Sequence, residues 1–176
     1  MSWYDKQSGF SLVELVIVIA IFGILASFAV PSYQQMIENS KIKTATDSIL
    51  SGFQIARAEA VKRNINVQLE FGAGSAWTVC VSPAGGGSCT AANTIQSRKS
   101  SEGSSSDVTV VASVAGPYVF NGFGILTSPG AATIDIDNAA LSSAKSRNLR
   151  VIAGASGAIK SCDPSLDPSG SDPRRC

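Results

Sequence analysis

The sequence contains no histidine. The side chain most used as a general base or metal ligand near neutral pH is therefore missing. None of its four cysteines stands in a Cys-x-x-Cys pair, so zinc-ribbon and thioredoxin-like chemistry lack their spacing. Charge is also sparse. Asp, Glu, Lys and Arg make up 15% of the chain, and the net charge is +1. That balance exerts no strong pull on nucleic acid or on an acidic substrate. No Gly-Lys-Ser/Thr follows the run Gly85, Gly86 and Gly87, so this is not a phosphate loop. Asp163, Asp167 and Asp172 lack the Asp-x-Asp-x-Asp-Gly pattern of a calcium loop and read as turn formers. Asp135 and Asp137 share one strand face and read as solvated strand residues, not a catalytic dyad. The chain is accordingly read as no enzyme, with no cofactor and no metal.

What the sequence does have is one long apolar stretch, residues 9–30, followed by Pro31. From Phe10 to Val30 the only ionisable side chain is Glu14. At about 1.5 Å per residue a helix here spans roughly 30 Å, the thickness of a bilayer core. A secretory signal would carry a small-residue cleavage site after the apolar run, and none is evident. The distinctive junction, Gly9-Phe10, precedes the run, so cutting there would remove the polar leader and keep the helix. A carboxylate within a membrane helix costs about 2.5–3.5 kcal/mol, which makes Glu14 a functional candidate in need of a cation.

Gly9, Phe10, Ser11, Leu12, Val13, Glu14 and Leu15, with the apolar run and Pro31, resemble the processing motif of type IV prepilins and type II secretion pseudopilins. The resemblance implies that a prepilin peptidase cuts after Gly9 and N-methylates the new terminus, Phe10. It also implies that Glu14, at the fifth mature position, neutralises the terminal amine of a neighbouring subunit during assembly. Coulomb attraction in a low-dielectric setting makes that pairing reasonable.

Pro31 is expected to kink a helix that then resumes. Ile42, Ala45, Ile49, Phe53, Ala56 and Ala60 recur at spacings of three and four, one helical face. One helix is therefore predicted from Phe10 to Arg63, apolar all round in its first half and amphipathic in its second. Strict alternation predicts a strand with Ile65, Val67, Leu69 and Phe71 inward and Asn64, Asn66, Gln68 and Glu70 outward. A second strand carries Trp77, Val79 and Val81 on one face. The glycine-rich loop of residues 83–88 follows, then a polar loop at residues 98–107. Further strands are predicted at residues 108–114, 118–120 and 133–137. Residues 148–153 and 158–162 form a hairpin across residues 154–157. Four cysteines behind a membrane helix point to disulfides in an oxidising compartment. They allow three connectivities, of which the sequence-local one, Cys80 with Cys89 and Cys162 with Cys176, is preferred. The second bond closes a loop of about 15 residues, worth roughly 3 kcal/mol in the chain-entropy model.

One long helix followed by short strands predicts an α+β fold with a mostly antiparallel sheet. The predicted segments are a leader (residues 1–9), a transmembrane half-helix (10–30), an amphipathic half-helix (31–63) and a periplasmic β-rich domain (64–176). Residues 120–124 (Phe-Asn-Gly-Phe-Gly), Arg150 and Gly157, Ala158, Ile159 and Lys160 resemble the GspH/FimT group of minor pilins and pseudopilins. The cysteine-closed tail is most similar to that of the FimU and FimT minor pilins. The resemblance implies a minor pilin that enters a type IV pilus through its N-terminal helix and helps to initiate or cap it. Its partners would be other pilins, prepilin peptidase and the inner-membrane assembly platform. It would sit in the inner membrane with its globular domain in the periplasm, and then in the pilus or pseudopilus. A minor pseudopilin of type II secretion is the corresponding alternative. A DNA-binding pilin is the third reading. FimT-type pilins use a Gly-Arg-x-Arg motif, where this chain has Ala158 for the first arginine and Lys160 for the second. Lys160, Arg174 and Arg175 are the candidate DNA contacts.

Overall fold

The structure, a computed structural model, describes residues 11–102 and 104–176. Gly9 and Phe10, the predicted cleavage junction, lie outside the described residues. The chain divides into two compact units, Met1–Met36 and Ile37–Cys176.

Helix α1 spans Leu12–Arg63, and Pro31 lies inside it. Ser11 is its N-cap: the Glu14 N–H donates to the Ser11 hydroxyl at 3.1 Å. A serine followed three residues later by glutamate is the sequence signature of a capping box. In the first unit every described helix residue except Gln35 is exposed, although most are apolar.

In the second unit the same helix becomes one-sided. It buries Ile42, Ala45, Thr46, Ser48, Ile49, Gly52, Phe53, Ala56 and Ala60. Gly52 permits this close approach. An added β-carbon there would lie 2.9 Å from Leu69 and 3.0 Å from Trp77. The Trp77 indole N–H donates to the Ser48 hydroxyl at 2.9 Å, which satisfies both buried groups. Phe53 sits among Phe71, Tyr118 and Phe120 in edge-to-face contacts, with ring centroids 5.2–6.4 Å away.

Two antiparallel sheets cover that face. The strands are β1 (Val67–Phe71), β2 (Trp77–Val81), β3 (Thr94–Arg98), β4 (Val108–Ala112), β5 (Tyr118–Phe120), β6 (Leu126–Ser128), β7 (Ala132–Asn138), β8 (Leu149–Ala153) and β9 (Ile159–Cys162). One sheet has the order β3-β2-β1-β5-β6 and the other β4-β7-β8-β9. The fold is therefore α+β, a long helix on antiparallel sheets.

The structure departs from the strand reading in four places. The first strand begins at Val67, because Asn64 and Ile65 are spent closing the helix. Asn64 has φ 52°, and the Ile65 N–H donates to the Ala60 carbonyl while the Asn64 N–H donates to that of Val61. This is the Schellman arrangement. Gln68 is not outward but buried, at 1% exposure. Its amide donates to the Gly87 carbonyl and to Glu70, and accepts from the Ser82 hydroxyl. The glycine loop covers it. Strands β3 and β6 carry no sequence expectation, since neither has a strict apolar alternation long enough to register. Strand β4 ends at Ala112 rather than at residue 114.

Candidate assembly surfaces

Three surfaces carry the functional candidates. The first is the N-terminal part of α1. Its side chains are large, apolar and unburied: Leu12 is 79% exposed, Phe22 68% and Phe28 74%. A contiguous apolar surface of this size needs lipid or protein around it. Glu14 lies in the first turn of this helix, exposed. It is the one ionisable residue among the apolar side chains from Leu12 to Val30.

The second surface is the turn after β5. Asn121 organises it. Its side-chain carbonyl accepts from the N–H groups of Phe123 at 3.0 Å and Ile125 at 3.1 Å. Its backbone carbonyl accepts from Gly124, and its N–H donates to the Ile125 carbonyl. The Leu126 N–H donates to the Ala155 carbonyl, which ties the turn to the β8–β9 hairpin. Gly157 closes that hairpin with φ 79°, and an added β-carbon there would overlap the Gly124 carbonyl and meet Arg57. This clamped scaffold holds Phe123 outward, 83% exposed. An aromatic ring presented in this way has the character of an interface anchor. Nothing in the sequence marks Phe123 as exposed.

The third surface is the C-terminal tail. Cys162 at the end of β9 is bonded to Cys176, and Cys80 is bonded to Cys89. The tail is built from aspartate turns. Asp163 accepts from the backbone and hydroxyl of Ser165, and Asp167 does the same with Ser169. Arg174 grips Asp172 with two bonds, of 3.1 and 2.7 Å. Asp163 also bridges Arg175 through the backbone. The aspartates thus have turn-forming partners, and among the described residues no group of three potential ligands could hold a metal ion.

Of the three candidate DNA contacts, Lys160 is exposed on β9, Arg175 is exposed, and Arg174 is engaged with Asp172. They lie within two residues of the Cys162–Cys176 bond along the chain. Asp135 accepts two bonds from Arg150, and Asp137 accepts from Ser146. The Arg174 guanidinium and backbone N–H hold the Asp172 carboxyl down at about 2. A free aspartate titrates at about 3.9. A depressed carboxylate pKa contributes stability above the unfolded value and loses it as pH falls through the folded one. The Arg174 contact to the tail should therefore persist at pH 4 and be lost toward pH 2. Carbon-13 NMR of the Asp172 carboxyl checks this, and titration at the free-aspartate value would contradict it.

A family model described as Type II transport protein GspH matches residues 45–157. The chain belongs to the GspH family. A second model, the prokaryotic N-terminal methylation motif, matches residues 4–30. The GspH chain thus carries, ahead of its family domain, the N-terminal methylation motif of type IV pilin-like proteins. A type IV major alpha-pilin of Moraxella bovis is 48% identical over 48 residues, 27% of this chain and 30% of that one. Fimbrial protein EcpB of Eikenella corrodens is 48% identical over 56 residues, 26% of this chain and 35% of its own. The match thus spans about a third of these relatives. Among solved structures, the type IV minor pilin FimU of Pseudomonas aeruginosa aligns with a TM-score of 0.60 at 17% identity, over 77% of this chain and 98% of that chain. The minor pseudopilin EpsH of the Vibrio cholerae type 2 secretion system aligns at 0.51 and 13% identity, over 72% and 99%. At these identities the likeness is one of fold.

Proposed function

We propose that this GspH-family chain is a minor pilin of a type IV pilus. It is processed by prepilin peptidase after Gly9, methylated at Phe10 and built into the fibre through α1 at the inner-membrane assembly platform. Before assembly, the first half of α1 spans the inner membrane and the disulfide-bonded domain lies in the periplasm. In the fibre it helps to initiate or cap the filament.

The observation that carries this reading is the unburied apolar half of α1 with a single carboxylate in its first turn. Such a helix needs lipid before assembly and neighbouring helices afterwards. Cutting after Gly9 would leave the α-amino group of Phe10 four residues before Glu14. An amine from one subunit and a carboxylate from the next neutralise each other where water is scarce. The disulfide-closed tail favours the pilus, since a covalently closed end survives exposure outside the cell.

Glu14→Ala should leave processing intact and lower fibre incorporation at least tenfold, as read by immunoblots of sheared fibres. Incorporation at the wild-type level would make the carboxylate incidental. The second reading, a minor pseudopilin of type II secretion, is favoured by the family model's own description. Tagged full-length protein recovered with pilus subunits supports the pilin reading. Recovery with secretion-channel components instead replaces it.

A further inference from the structure

The two sheets have four edges, β3, β6, β4 and β9, and three of them are blunted. β3 ends in Arg98 and pairs through a register shift. β6 has three residues, also pairs through a shift, and is followed by Pro129. β9 carries the exposed Lys160. Short length, bulges, charge and proline are the devices that keep an edge from pairing with another chain. β4, with the sequence Val-Thr-Val-Val-Ala, has five residues, no charge, no proline and an unbroken register with β7.

The hydrogen-bond phase of β4 is fixed by its ends. The Ala139 N–H donates to the Asp107 carbonyl, and the Ser113 N–H donates to the Thr133 carbonyl. In an antiparallel ladder, alternate residues point both backbone groups at the partner. Residues 107, 109, 111 and 113 therefore face β7. Val110 and Ala112 turn their N–H and C=O groups to the opposite side. Among the described residues no backbone partner meets them there. On that side lies an open cavity of about 700 Å³. Val110, Ala112, Phe71 and Tyr118 line it together with the polar Glu70 and Thr109. The volume is that of a ligand-sized cleft, roughly 300–1,000 Å³.

We propose that an extended peptide segment of a neighbouring subunit adds to β4 along this free edge and fills the cleft. The alternating donors and acceptors of Val110 and Ala112 match an extended backbone. Val110, Ala112, Phe71 and Tyr118 offer the incoming strand apolar contacts beside the polar Glu70 and Thr109. The inference rests on the fibre reading and adds to it a backbone contact in the globular domain, separate from helix packing.

Two measurements on the full-length protein test it. Val110→Pro removes the N–H that faces the cleft and keeps every β4–β7 bond, because proline is tolerated where the N–H points off the ladder. Its thermal midpoint should stay within a few degrees of wild type, while its recovery in fibres falls at least fivefold. Site-resolved hydrogen exchange of the wild type, free in detergent and in fibres, reads the contact directly. The Val110 and Ala112 amides should exchange at least tenfold more slowly in the fibre. Normal recovery of Val110→Pro, or unchanged exchange at both amides in wild-type fibres, overturns the strand addition while the fibre reading stands. Wild-type protein that never enters fibres overturns both.

Discussion

Replacing Gly157 with valine is expected to cost the globular domain about 2–5 kcal/mol. Two effects add. The residue has φ 79°, and the left-handed region costs a residue with a β-carbon about 1–2 kcal/mol. The added carbon would also overlap the Gly124 carbonyl oxygen, which is backbone. Neither the hairpin nor the Asn121 turn can yield without losing the Leu126 to Ala155 bond between them. Overpacking of this kind costs about 1–3 kcal/mol, and more where backbone must shift. Against a total stability of about 5–15 kcal/mol the loss leaves a marginal protein. Gly130→Ala separates the two effects. Its φ is 91°, and an added β-carbon there meets nothing within 4 Å. It should lose only the backbone share, about 1–2 kcal/mol. Denaturant midpoints of both variants decide the matter. A Gly157→Val midpoint equal to that of Gly130→Ala would show that the β8–β9 hairpin and the Asn121 turn are not locked together.

Gly9→Leu is expected to abolish leader removal. A bulky side chain at the residue before the cut blocks close approach of the peptidase to the Gly9-Phe10 bond. The uncut chain would keep a polar leader with Asp5 and Lys6 ahead of the apolar helix. Phe10 would then have no free amine, and Glu14 of a neighbouring subunit would lose the cation that offsets its cost in an apolar setting. The variant should remain in the membrane fraction and be absent from sheared fibres. Intact mass spectrometry reads the result at once. Wild type should begin at a methylated Phe10, and the variant at or near Met1. A normally trimmed variant would defeat the prepilin reading. A trimmed wild type without a methyl group would defeat only the modification.

Gly157→Val and Gly9→Leu probe separate units, and the two units were not equally legible from sequence. The apolar stretch needs no tertiary information, because its length and its lone carboxylate are local properties. The amphipathic stripe from Ile42 to Ala60 is equally local, since a period of 3.6 residues is written in the spacing itself. Strands β1, β2, β5, β7, β8 and β9 showed themselves by alternation or by turn residues at both ends.

Polar residues are where local reading failed. Gln68 alternates with apolar neighbours and so reads as outward. It is buried because Gly87 and Ser82, far along the chain, supply its partners. Strand β3, Thr-Ile-Gln-Ser-Arg, is half solvated and has no alternation to detect, yet pairing with β2 makes it a strand. Asn121 reads as a turn residue, but only the clamped turn shows that it holds Phe123 outward.

The apolar helix, its carboxylate, the amphipathic continuation and the α+β class are legible in the chain alone, because periodicity and hydrophobic length act within one segment. Which polar groups are buried, that Phe123 stands exposed and that β4 keeps a free edge emerge on folding. Each of those depends on partners brought together, or left absent, by folding.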